Sequence, residues 1–188
     1  APLCQAKALP GPFAEKSLLL GAKAASLLSL SREEFPELPE ALRRYNRTLY
    51  RTGLRFLILR ETSQRSLILV FRPALLRSRL NTAGAKALLQ RFDYPETDCL
   101  GVLLRRLKKR FTPGGDFPHE IGLFLDYPPE DVEAFIAGSS ECKLCGYWKV
   151  YGDVDGARER FACYDACRLC LCRMLAAGNT ISQLLQTA

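Results

Sequence analysis

The stretch LRFLILRETSQRSLILVFRP, residues 54–73, holds two apolar runs divided by a short polar break. Both runs are rich in residues that favour strands, and Glu61-Thr-Ser-Gln-Arg65 between them predicts a β-hairpin with a loop of about four residues. Pro73 ends the second run, because proline cannot donate to a ladder.

Helical patterns surround this hairpin. Leu19, Leu20, Ala24, Leu27 and Leu28 recur near the helical period, which predicts a helix over 13–30. Further helices are expected over 37–52, 74–80, 82–91 and 97–110. Asp116 is positioned to cap another, with Pro118 in its first turn. Pro128 and Pro129 break it, and a helix restarts at Glu130 with acidic residues at its positive end. Residues 144–151 read as a strand, 157–177 as a helix, and 179–187 as a loosely attached terminal helix. The expected architecture is α+β: one domain over 1–188, with a small antiparallel sheet (hairpin 54–71 plus strand 144–151) packed against several helices.

The 188 residues suffice for one core, and 48% hydrophobic with 25% charged residues is ordinary globular composition. No apolar run reaches the roughly 18 residues that span a bilayer, so no membrane association is expected. Lys23 interrupts the most apolar early stretch and argues against a signal peptide. A cytoplasmic, reducing location is the expectation, where eight cysteines suggest metal or thiol chemistry rather than disulfides.

Cys142 and Cys145 form a Cys-x-x-Cys pair followed by glycine, a spacing that aims two thiolates at one ion. Cys163 and Cys167 follow at distances suited to a four-cysteine site holding zinc or an iron–sulfur cluster. The alternatives are a redox pair and packing: Cys163, Cys167, Cys170 and Met174 fall on one helical stripe, the form of a core-facing seam. Alternation along 144–151 places Cys145, Tyr147, Lys149 and Tyr151 on one face and Leu144, Trp148 and Val150 on the other. The first face reads as a solvated surface or as a pocket wall in which Lys149 favours the Cys145 thiolate. His119, the only histidine, reads as a structural residue or as a base or metal ligand.

Charge is unevenly spread. Residues 42–110 carry 17 basic and 4 acidic residues, a balance of +13, whereas the remainder carries 10 and 16, a balance of −6. Either an anionic ligand or nucleic acid meets the segment 42–110, through Arg43, Arg47 and Arg51 or the run at 105–110, or this segment packs beside the acidic half. No zinc-finger pattern, RNA-recognition motif or Gly-rich phosphate loop is present, and no Ser/His/Asp set names a reaction.

FPHEIGLFLDYPPEDVEAFI (117–136) and CGYWKVYGD (145–153), with GAKAASLLSL (21–30) and LILVFRP (67–73), resemble the bacterial family called domain of unknown function 3793. The likeness covers roughly residues 16–168. It implies no activity, but it marks Lys23, Arg72, His119, Glu120, Cys145, Trp148, Lys149 and Cys167. The chain departs from the family pattern at Asp126, where glycine is usual, at Ala24, often proline, and at Glu15, usually cysteine. Cys142, Cys163, Cys170 and Cys172 lie outside the pattern, which leaves Cys145, Cys167 and His119 as a smaller metal constellation.

Three functions follow as expectations. One is a thiol- or metal-dependent protein centred on Cys145, with His119 and Lys149 as its chemical partners and Lys23, Arg72, Glu120, Tyr147 and Tyr151 as ligand-binding residues. The second is a non-catalytic module for an anionic partner. The third is a structural or assembly protein.

Overall fold

A computed structural model describes residues 22–112 and 114–178. The hairpin forms as the sequence predicts: β2 (Arg55–Glu61) pairs antiparallel with β3 (Arg65–Phe71). Thr62 closes the loop, its hydroxyl accepting from the Arg65 amide at 3.0 Å. A bulge between Ile58 and Arg60 shifts the register near the loop.

The sheet's third strand is β1 (Ala25–Ser31), which pairs antiparallel with β3 and gives the order β1-β3-β2. This corrects the helix expected over 13–30, of which residues 13–21 lie outside the described residues. The misreading has a physical cause. Ala25, Leu27, Leu57, Leu67, Leu69 and Phe71 point into one core, while Leu28, Leu30, Phe56, Ile58, Ile68 and Val70 point into another. A strand buried on both faces loses polar alternation, and its leucines then mimic a helical stripe.

The first core is completed by α2 (Pro73–Leu80), α3 (Ala83–Gln90), α4 (Leu100–Arg110), α5 (Ile121–Phe124) and α6 (Pro129–Ile136). The second is covered by α1 (Leu38–Thr48), through Leu38 and Leu42, with Met174 and Leu175 packed beside it. Pro73 both stops β3 and opens α2, its fixed φ suiting a first helical position. Helix α5 is shorter and later than expected. It starts after Glu120, and Asp116 does not cap it.

Residues 144–151 do not join the three-stranded sheet. They fold into a separate hairpin of β4 (Leu144–Cys145) and β5 (Lys149–Val150), which turns at Gly146 with its amide donating to the Trp148 carbonyl at 3.1 Å. A Cβ on Gly146 would stand 2.2 Å from the Phe161 ring, so this turn has no room for a side chain. Asp153 then caps α7 (Val154–Ala176), accepting from the Gly156 amide at 3.0 Å. A third cluster of Trp148, Val150, Ala157 and Tyr164 fastens the small hairpin to α7. The helix expected at 179–187 lies outside the described residues. The architecture is α+β, and among the described residues no helix is long and apolar enough to cross a membrane.

Candidate ligand-binding cleft

Asp131 on α6 organises the site. Its carboxylate is 3% exposed and accepts three hydrogen bonds: from Trp148 Nε1 at 2.7 Å, the Tyr151 amide at 2.7 Å and the Gly152 amide at 2.9 Å. A buried carboxylate is tolerable only when satisfied in this way. The three bonds tie the small hairpin to α6 and fix the indole. Tyr127 stacks on Trp148 with centroids 5.2 Å apart, Phe161 meets it edge-on at 4.5 Å, and the Arg160 guanidinium lies 4.9 Å from the ring.

On one side of this wall lies a cleft of about 290 Å³. Leu27, Ile121, Leu125 and Val132 supply hydrocarbon, Tyr127 and Trp148 supply rings, and Phe117, His119, Phe135 and Lys149 reach it from exposed positions. His119 packs against Phe135 at 5.2 Å between ring centroids, and Lys149 Nζ stands 5.7 Å over the same ring. Among the described residues neither His119 nor Lys149 has an ion pair or a hydrogen-bonded side-chain partner.

On the other side, a polar cleft of about 300 Å³ is lined by Arg79, Arg160, Asp126 and Asp153, with Tyr127 and Trp148 shared. Its two arginines are answered by Asp126, whereas Glu130, also in the lining, has no ion pair among the described residues. Asp126 Oδ1 lies 2.9 Å from Arg79 Nε and 3.5 Å from an Arg160 nitrogen, and Oδ2 accepts from the Ala24 amide at 3.4 Å. Arg160 also donates to the Asp126 carbonyl oxygen. Asp126 holds a φ of 67°, a left-handed conformation that glycine adopts without strain.

The remaining sequence-predicted residues separate. Glu120 is 1% exposed and points into the first core, where it accepts from Tyr94 at 3.2 Å and Arg110 at 2.8 Å. Burial, reinforced by that carboxylate, raises the Tyr94 phenol, and the hydrogen bond to Glu120 raises Arg110. Lys23, 4% exposed, sends its ammonium among the rings of Tyr127, Tyr147 and Tyr164 at 5.8–6.0 Å, a cation–π enclosure. Arg72 donates to the Thr52 carbonyl at 3.0 Å, and burial lowers its pKa. Tyr147 donates to Asp165 at 2.9 Å. Tyr151 uses its backbone amide on Asp131.

The expected alternation holds only in part, because the chain reverses within 144–151. Trp148 and Val150 are buried and Cys145 and Lys149 are exposed, directly opposite one another in the ladder, but Tyr147, expected on their face, packs in the cluster of Trp148 and Tyr164. Cys142 is exposed and contacts the Leu144 carbonyl oxygen at 3.2 Å. Among the described residues no three His, Cys, Asp or Glu side chains converge to hold an ion, so Cys145, Cys167 and His119 are not gathered into one centre, with or without Cys142 and Cys163. His119 joins Lys149 at the apolar cleft, Cys145 is not among the residues lining it, and Cys167 neighbours Cys163 and Cys170 instead.

The basic segment is partly spent on the acidic half. Arg79 meets Asp126, Arg91 meets Glu133 and Arg110 meets Glu120. Sequence reasoning missed Asp131, Phe135 and Phe117. For Asp131 the available signal was an acidic residue in the first turn of α6, which reads as a response to the helix dipole and conceals a tertiary role.

A family described as a protein of unknown function, DUF3793, matches residues 14–185. The chain belongs to this family. The match spans both motifs that build the DUF3793 cleft, 117–136 and 145–153. No curated protein matches the chain significantly, and no solved structure does.

Proposed function

We propose that this DUF3793 protein binds a small molecule with an apolar, ring-bearing body and an acidic end, held in the cleft between α6 and the small hairpin. One observation carries the reading. A cleft of about 290 Å³, walled by hydrocarbon and aromatic rings, has Lys149 and His119 flanking Phe135 at its rim. A largely apolar pocket with a few convergent polar groups is the usual form of a small-ligand site. An ammonium whose neighbour is a ring, rather than a carboxylate, retains its charge for a ligand.

The test uses two probes of similar ring structure, the anionic 8-anilino-1-naphthalenesulfonate and the neutral N-phenyl-1-naphthylamine. Both gain emission in the cleft, and Phe135→Ala weakens both. Lys149→Ala weakens the anionic probe about fivefold, the effect of roughly 1 kcal/mol from an exposed charge, and leaves the neutral one unchanged. Equal binding of both probes to the parent and to both variants would sink the reading.

A second reading keeps thiol chemistry at Cys145. It rests on the exposed Cys145 standing directly opposite Lys149 in the ladder, while the Lys149 ammonium itself is directed over Phe135. Faster alkylation of Cys145 than of Cys142, slowed in Lys149→Ala, is its expected signature.

A further inference from the structure

The second half of α7 carries Cys163, Cys167, Cys170 and Met174 at spacings of four, three and four, one continuous helical stripe. Met174 at its end packs beside the second core, but the three thiols do not form the core seam the sequence suggests. Cys163 and Cys170 are exposed and Cys167 is half-buried, although unpaired cysteine is among the most buried residue types in proteins. Packing therefore does not account for a surface row of thiols.

The sulfurs are neighbours. Cys163, Cys167 and Cys170 follow one another on a single face of α7 at spacings of four and three, and Cys170 Sγ lies 3.9 Å from Met174 Sδ. The helix supplies this proximity by its own geometry, because residues four apart stand one above the other. Three thiols and a thioether make a wholly soft donor row, without the oxygen or nitrogen ligands that hard ions require.

We propose that Cys163 and Cys167 bind a single Cu(I) ion in two-coordinate fashion, with Cys170 and Met174 as adjacent sulfur donors. Zinc completes a four-donor shell and would need at least three protein ligands in one place, which the described residues do not provide. A d10 monovalent ion is satisfied by two thiolates on opposite sides. On binding, each thiol releases its proton to solvent as its sulfur bonds the metal, and no electron changes hands. The site is independent of the apolar cleft, since none of these residues lines it.

Anaerobic titration of the fully reduced chain with Cu(I), in competition with bathocuproine disulfonate, tests the assignment. The parent protein withdraws one Cu(I) per chain from the chelator, with a new thiolate-to-copper absorbance in the near ultraviolet. Cys163→Ser/Cys167→Ser weakens this binding at least about a hundredfold, while keeping the parent far-ultraviolet dichroism. Cys142→Ser/Cys145→Ser leaves it unchanged, and Zn(II) does not displace the ion. The proposal is overturned if the parent fails to withdraw copper, or if the Cys163/Cys167 variant binds as tightly as the parent. Loss of binding in the Cys142/Cys145 variant would overturn it equally, by placing the ion on the small hairpin.

Discussion

The two clefts on either side of Trp148 are nearly equal in volume and opposite in chemistry. In the polar cleft both arginines have an internal answer in Asp126, and Asp153 holds the amide of Gly156. In the apolar cleft Lys149 and His119 rest against a phenyl ring. Charge density is thus a poor guide to function in this molecule. In the polar cleft the arginines are occupied with holding the chain together, and the candidate site is where one ammonium and one imidazole stand beside hydrocarbon.

The largest expected effect comes from Asp131, on which both clefts depend. Asp131→Ala strips three donors of their acceptor and leaves the indole N–H and two amides unsatisfied. Hydrogen bonds to a charged group are worth about 1.5–3 kcal/mol each and are not additive, so a loss of roughly 4 kcal/mol or more is expected in urea unfolding. Retention of parent stability would break the claim that one carboxylate fixes the shared wall.

Asp126 sharpens the comparison from the polar side. Asp126→Ala removes the partner of two arginines and keeps an unfavourable φ, whereas Asp126→Gly removes the partner and relieves the backbone. Both destabilise, and the glycine variant is expected to be about 1 kcal/mol the more stable of the two. Neither changes binding of the anionic probe, if the polar cleft is structural.

Alkaline titration probes the cores beneath. Burial raises the phenols of Tyr94 and Tyr164 and the thiol of Cys167 in the folded chain. Each group then keeps its proton to higher pH when folded than when unfolded. Their contribution is complete below the unfolded values, 9.0 for the thiol and 10.0 for the phenols, and is lost as pH rises beyond them. Stability measured by urea unfolding is expected to fall above about pH 9–10, and Tyr94→Phe to flatten that fall. A steeper fall in the variant would contradict the assignment.

The smallest effect is at the rim. Phe117 is exposed, so Phe117→Ala is expected to change stability by about 0.5 kcal/mol or less while weakening both ring-bearing probes. An unchanged affinity would confine the site to Phe135 and the rings beneath it.

What the sequence discloses follows from how local each constraint is. The central hairpin is legible because its two runs and its turn are contiguous, and the helix starts at Pro73 and Pro129 announce themselves. Strand β1 is hidden because both its faces are buried, which erases period-two alternation. The pairing of His119 with Lys149 is half legible. The motifs name both residues, but Phe135, which joins them, looks like an ordinary apolar helix residue. Cys145 draws attention by its spacing from Cys142, yet that spacing does not show that both thiols end on an exposed surface. Asp131 is hidden because its three partners lie 17 to 21 residues away.

Trp148 is the single tryptophan of the chain, and it borders both clefts. The protein therefore carries one indole, excitable apart from its tyrosines, with a phenol stacked on it and a guanidinium close to its ring. An occupant of the apolar cleft and a rearrangement of the Arg79–Asp126–Arg160 cluster would each perturb the same indole from a different direction. Its emission maximum and quenching by iodide then form an internal optical readout, able to separate the two events without any label.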